Sequence, residues 1–386
     1  MLFCFGRGSP RKQDSCWSNV VCLCATFGQV LIMGTGQGFG VFLPVIMNEF
    51  NTSREYTAWI GSIAIAMTLG LSPVSGRLCD RFGSRSVAII GALFSSLGLI
   101  LTSLVKKVDL FYLTYSVLFG FGACCCRTAN FLITAKYFVK RRSFATGLVT
   151  AGAGLGVFAL APINQKVIDS YGLSIAYRVL GFVIPVNCFL ALFYDPNIED
   201  ELAQGNDEEA PKHQEEINGQ EDPQKCQKLI DFSVWKVPAF TIVAVCYAGM
   251  SIVLFTPQFH LVRHCEDLGI SADKSSKLLM IYGLTSCFVR IITGRLCDMQ
   301  AINPIYVFQF GMFTSGLAVI MFGVPSSYVA LAVISAFFGV GDGASLTSGN
   351  LLLLTTVEPK KRASAFGLAN LLDSVSIATG APLSGN

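Results

Sequence analysis

Apolar runs of about twenty residues recur along the whole chain, split by short polar segments. A helix of that length crosses roughly 30 Å of hydrocarbon. Eleven such helices are predicted, near 19 to 42, 56 to 76, 86 to 104, 111 to 135, 143 to 164, 173 to 194, 238 to 259, 276 to 297, 305 to 323, 327 to 355 and 364 to 385. Runs this long imply helices and not barrel strands. Composition agrees: the 386 residues are 52% hydrophobic and 14% charged, where soluble domains carry about 25% charged residues. The expected class is an all-α polytopic membrane protein with the lipid bilayer as its solvent. The first apolar run is too long for a cleaved signal peptide and lacks a small-residue cleavage site.

One stretch breaks the apolar pattern. Residues 195–233 hold twelve acids against three lysines, with almost no aromatic residues, and read as a disordered acidic linker. The remainder holds 13 acids and 25 bases, so a net charge of +3 conceals a basic body and an acidic tether. Counted by loop, the segments on the N-terminal side carry fourteen lysines and arginines and the opposite loops eight. This bias places the N-terminus and the linker in the cytoplasm. The sequon Asn51-Thr52-Ser53 then faces outside. The expected organisation is a cytoplasmic tail over 1–18, a six-helix bundle over 19–194, the linker over 195–233, and a second bundle over 234–386.

An internal repeat supports the two bundles. Gly76-Arg77-Leu78-Cys79-Asp80 returns unchanged as Gly294-Arg295-Leu296-Cys297-Asp298, 218 residues on. The segment Lys140 to Leu148 matches Lys360 to Leu368 at an offset of 220, and Phe119-Gly120 matches Phe338-Gly339 at 219. Two parallel six-helix halves follow, the arrangement in which a midplane site serves both sides by rocking. The repeat also predicts a twelfth helix near 392–413. The chain ends at Asn386, so the expectation is a fold truncated after helix 11.

Charged residues at membrane depth cost about 2.5 to 3.5 kcal/mol each on insertion scales, so those present invite explanation. Arg290 in helix eight is placed to bind a carboxylate bidentately. Arg127 in helix four either adds a second anion contact or pairs with Asp342 or Asp373. Asp342, on a glycine-rich stretch of helix ten, binds a cation or proton, or forms a salt bridge with Arg127 or Arg290. His260, after Pro257 near the outer end of helix seven, touches substrate or is only hydrogen-bonded. The 14 cysteines show no zinc spacing and lie mostly in apolar runs, so no metal and no cofactor is expected; Cys4 and Cys16 are palmitoylation candidates or free thiols.

Gly76 to Arg85, with its duplicate, resembles the loop between helices two and three of the major facilitator superfamily. There Asp80, Arg81, Arg85, Asp298 and Arg141 would gate the cytoplasmic side, with Asp80 at a helix N-terminus of the other half. Tyr137 to Gly156 resembles the helix-five motif of the monocarboxylate transporter family, whose small residues Gly147, Ala151, Gly154 and Gly156 would form one sliding face. The first-helix motif is partial: Asp14 to Asn19 keeps the acid and one tryptophan. Where proton-coupled lactate carriers of the family have a lysine, this chain has Gln37; where they have an aspartate one turn before the helix-eight arginine, it has Ser286.

The resemblance implies a secondary transporter of small carboxylate-bearing solutes, proton-coupled, in the plasma membrane. A small organic anion or zwitterion would bind Arg290, Gln37, Arg127 and His260, with a single-span glycoprotein as an ancillary partner. The incomplete relay opens a facilitative alternative, with amino-acid, creatine-like, carnitine-like or iodothyronine substrates. A transport-inactive sensor or chaperone is the alternative from another class. An enzyme is not expected, since paired catalytic groups and a nucleotide-binding P-loop are missing, and no nucleic-acid partner is expected.

Overall fold

The computed structural model describes residues 13–138, 141–195, 232–299, 302–324, 327–357 and 362–383. The acidic linker, apart from its two ends, and residues 1–12 of the tail lie outside this range. All eleven predicted helices are found. Helix α1 spans Cys16–Phe50 in two pieces, Cys16–Gln37 and Phe39–Phe50, that meet at Gly38. Helix α2 comprises Arg54–Gly70 and Ser72–Phe82, bent by 45° at Leu71, two residues before Pro73, whose missing N–H interrupts the ladder.

Then come α3 (Ser84–Thr102), α4 (Asp109–Tyr137) and α5 (Arg142–Tyr171). Helix α6 spans Leu173–Ala191 and α7 Pro238–Asp267. The remaining four are α8 (Ala272–Cys297), α9 (Pro304–Phe322), α10 (Tyr328–Thr355) and α11 (Arg362–Leu383). Among the described residues, α1 and α3 to α10 are each apolar and long enough to cross a membrane, as is α2 taken as one bent span. The helix ends overshoot the predicted ones because α1, α5 and α7 continue beyond the apolar run; α5, at 30 residues, is about 45 Å long.

The packing follows the repeat. Helix α1 packs on α4 and α5, α2 on α4, and α3 on α4 and α6. In the second set, α7 packs on α11, α8 on α10, and α9 on α10. Adding about 219 to the first set's helices yields the second set's pairs: α1·α5 becomes α7·α11, α2·α4 becomes α8·α10, and α3·α4 becomes α9·α10. Across the seam, α5 lies on α8 and α2 on α11, and the offset converts each of these pairs into the other. A twofold-like exchange of two homologous halves produces this pattern.

Polarity is inverted relative to a soluble protein. Tyr306, Phe310, Phe313 and Ile320 on α9 point outward, as do Leu93 and Leu97 on α3. The interior holds Ser62, Ser95, Ser286, Ser335 and Thr68, all buried. Thr68 donates to the Ala64 carbonyl one turn back and Ser286 to Asp342, whereas the Ser62, Ser95 and Ser335 hydroxyls have no hydrogen-bond partner among the described residues.

Glycines set the seam. A Cβ on Gly283 of α8 would meet the Gly154 carbonyl oxygen of α5 at 2.6 Å, and one on Gly34 of α1 would meet Gly156 Cα at 2.7 Å. The α5 small residues therefore form two faces and not the single sliding face expected: Gly147 and Gly154 meet α8, whereas Gly152 and Gly156 meet α1. A 30-residue helix clamped between two neighbours requires both.

Candidate functional site

Tyr282, Ser286 and Arg290 follow one another at intervals of four on α8, which puts them on one helix face. That face meets α10 closely: a Cβ on Gly339 would lie 2.7 Å from the Tyr282 carbonyl, and one on Gly343 2.8 Å from that of Ser286. The glycines around Asp342 thus serve close approach, within a stretch that is regular helix. Asp342, fully buried, reaches across. Its Oδ2 accepts from Arg290 Nη2 at 2.9 Å and from the Ser286 hydroxyl at 2.5 Å.

Arg290, 3% exposed, also donates through Nη1 to the Thr150 carbonyl of α5 at 2.7 Å. Its guanidinium therefore ties α8 and α10 of the second half to α5 of the first. Of the two pairings open to Asp342 in the sequence, Arg290 is the one formed. Three buried polar atoms in this cluster have no hydrogen-bond partner: Arg290 Nε, Asp342 Oδ1 and Gln258 Oε1. Gln258, on α7, donates through Nε2 to the Tyr282 hydroxyl at 2.7 Å.

A second buried pair of charges lies apart from the first. Arg127 on α4 stacks over Phe131 at 5.2 Å and forms no ion pair among the described residues. Its electrostatic neighbours include Tyr247 of α7 and Asp373 of α11, a residue of the opposite half. The Tyr247 hydroxyl donates to Asn350 of α10 at 3.3 Å, and Asp373 Oδ1 has no hydrogen-bond partner. Arg127 with Asp373 is thus an opposed pair held out of contact; of the roles open to Arg127 in the sequence, the direct bridge to Asp342 or Asp373 is not formed among the described residues.

The remaining expected site residues are spread along the seam. Gln37 closes the first piece of α1, is buried, and leaves Oε1 without a partner; no hydrogen bond joins it to Arg290. His260 is buried toward the face opposite the N-terminus, here called the far face. Its Nδ1 accepts from Arg54 Nε of α2 at 3.0 Å. Arg54 also reaches Asp267 at 3.8 Å, and Arg263 holds Asp267 at 3.2 Å. The second piece of α1 joins this closure: Phe39 meets Phe259 edge-on at 6.0 Å, and a Cβ on Gly40 would strike the Gln258 carbonyl. A cavity of about 200 Å³ opens here, lined in part by Arg54, His260 and His264.

At the other face, which carries the basic segments, lie the expected gate residues. Asp80, Arg81, Asp298 and Arg141 are exposed and Arg85 is half-buried. Gly76 to Phe82 is helix and not loop, and Gly76 has open space around it, so it does not serve a turn. The turn is made by Gly83, at φ +81°, which only glycine adopts without strain. Asp80 therefore sits on the last turns of α2, in the Ser72–Phe82 piece that packs on α11 of the other half.

Sequence reasoning passed over four contributors: Arg54, Thr150, Gln258 and Tyr282. The four-residue spacing of Tyr282, Ser286 and Arg290 was a usable signal, as was a glutamine beside a proline inside an apolar run. Thr150 acts through its backbone, and Arg54 opens a helix after a loop, so neither stood out.

Residues 25–381 match the profile of the Major Facilitator Superfamily. Monocarboxylate transporter 4 of Mus musculus is 32% identical over 365 residues, spanning 93% of this chain and 75% of that protein. Monocarboxylate transporter 3 of Gallus gallus is 28% identical over 402 residues, spanning 97% of this chain and 73% of that protein. Monocarboxylate transporter 2 of Meriones unguiculatus is 28% identical over 389 residues, spanning 97% and 79%. Among solved structures, a bacterial homologue of the human lysosomal transporter Spinster, inward-facing and unoccupied, superimposes with a TM-score of 0.67 at 15% identity. That match covers 96% of this chain and 82% of the other, and it bears on the fold alone. With the two-halved fold, the buried charges on its seam and these relatives, the chain belongs to the monocarboxylate transporter family of the major facilitator superfamily, the membrane transporters that share this fold.

Proposed function

We propose that this transporter moves small monocarboxylates together with a proton, by rocking its two halves about the Arg290 seam. The observation that carries the reading is the Arg290 guanidinium, buried and bonded at once to Asp342 of its own half and to the Thr150 carbonyl of the other. A planar guanidinium is matched to a carboxylate. A substrate carboxylate that takes the place of Asp342 on Arg290 leaves that side chain an unpaired buried anion, and a proton removes the cost. One carboxylate and one proton then travel as a neutral sum.

In this account the carboxylate that the family's lactate carriers place at position 286 comes instead from α10, with Ser286 as its hydrogen-bond donor. Gln37, with a spare buried oxygen, offers a second contact. The monocarboxylate names of the relatives support the substrate class. We place the protein in the plasma membrane by analogy with the family, with N-terminus and acidic linker cytoplasmic on the excess of lysine and arginine on that side. A single-span glycoprotein partner belongs to the same proposal.

The direct test is uptake of radiolabelled L-lactate into proteoliposomes, with the external pH followed. Wild type takes up lactate and alkalinises the outside, and Arg290→Ala does neither while reconstituting normally. Undiminished uptake by that variant would refute the assignment. A second reading, carriage of a zwitterion, is favoured by Arg127 and Asp373, buried, opposite in charge and not joined to each other. It predicts uptake of a neutral amino acid that Asp373→Asn abolishes.

A further inference from the structure

One contact of the far-face closure, between α2 and α7, depends on a nitrogen lone pair. Arg54 Nε bears a hydrogen and can only donate, so His260 Nδ1, 3.0 Å away, must accept. An imidazole that accepts at Nδ1 carries its proton on Nε2 and is neutral. Histidine is the side chain whose ordinary protonation range spans neutral pH. His260 is only 4% exposed, but it borders the cavity of about 200 Å³ that it shares with Arg54 and His264.

The surrounding charges are few. Helix α2 contributes Arg54; α7 itself contributes Arg263, His264, Glu266 and Asp267. Helix α1 presents Phe39 and Gly40, and α9 presents Val319, Phe322 and Gly323, none of them ionisable. Both acids are engaged: Arg263 holds Glu266 at 3.4 Å and Asp267 at 3.2 Å, and Arg54 lies 3.8 Å from Asp267.

We propose that His260 is a proton-binding site that favours opening of the far-face gate: a proton taken from the far side onto Nδ1 replaces the Arg54 hydrogen bond with two facing cations, which leaves the 3.8 Å approach of Arg54 to Asp267 as the polar tie between α2 and α7 there. The inference rests on the two halves rocking apart, and it assigns the proton a role at the gate separate from neutralising Asp342. Acid on the far side then raises the rate of opening as well as driving symport.

The test needs no substrate, so it stands or falls separately from the choice of monocarboxylate. Spin labels are placed at Lys107→Cys, before α4, and Lys274→Cys, in the first turn of α8, both exposed at the far face in opposite halves. Accessible native cysteines are replaced by serine. Distance distributions are recorded in nanodiscs at pH 7.5 and 5.5. The ratio of long to short separations should rise about fivefold on acidification, the equivalent of one net hydrogen bond lost.

His260→Gln, which can accept from Arg54 but does not titrate, should give one distribution at both pH values. Arg54→Gln should hold the long separation at both. A wild-type distribution that ignores pH, or a His260→Gln shift equal to that of wild type, overturns the proposal. If His260→Gln does not fold, a persisting pH response in Arg54→Gln has the same force. If the distances respond as stated while lactate uptake is absent, the gate stands and the substrate reading falls.

Discussion

Asp342→Ala isolates the structural worth of the Arg290 pair. The substitution leaves Arg290 with the Thr150 carbonyl as its one remaining hydrogen-bond partner and strands the Ser286 hydroxyl. Both side chains of the pair are nearly inaccessible, 4% and 0% exposed, so water cannot replace what is lost. Removing one partner of such a buried pair costs about 3 to 5 kcal/mol, because an uncompensated charge remains. Arg290→Met should cost a similar amount by stranding Asp342. Replacing both, as Arg290→Met with Asp342→Leu, removes the charges together and should recover most of the loss, since apolar isosteres of buried pairs are often neutral or stabilising.

The assay is unfolding in detergent followed by circular dichroism, on wild type, both single variants and the double variant. The expected order is wild type and double variant high, both single variants low. The reasoning fails if either single variant unfolds with wild type, or if the double variant is no more stable than the worse single one. Lactate uptake adds an independent reading: the double variant should be stable and inactive.

Three further outcomes follow. Gly283→Val should disrupt the α5–α8 seam, since its Cβ alone would lie 2.6 Å from the Gly154 carbonyl oxygen; blue-native electrophoresis and thermal unfolding would show misfolding, whereas Gly249→Val, with open space around it, should leave both unchanged. Gly83→Ala places a side chain at φ +81° and should destabilise by about 1 to 2 kcal/mol, read by the same unfolding assay. Cys124, Cys125 and Cys126 are buried and should resist a maleimide in the folded protein, becoming reactive in denaturant; rapid labelling of the native protein would contradict the packing of α4.

Much of the fold was legible because lipid imposes one long apolar run per helix, and because the duplicated Gly-Arg-Leu-Cys-Asp fixed the register between halves. What the period could not show was where a helix bends: Leu71, ahead of Pro73, and Gly38 both lie within apolar context. The site was legible as residues and illegible as pairs. Arg290 and Asp342 stood out as costly charges, yet nothing local decides whether Asp342 meets Arg290 or Arg127, since that depends on how glycines at 339 and 343 seat α10 on α8. Of the two glycines in the Gly76 to Arg85 segment, only Gly83 makes the turn, while Gly76 is absorbed into the helix that Gly83 ends, and nothing in the residue type tells them apart.

The central claim is that two homologous halves rock, so that one face closes as the other opens. Spin-label distances across both faces of the same protein test it most directly, one pair at Lys107→Cys and Lys274→Cys, the other at Phe82→Cys and Met299→Cys on the basic face, all exposed. Under every condition that lengthens the first distance, with lactate or with acid, the second should shorten. Distances that lengthen together, or a basic-face pair that never responds, would contradict the account.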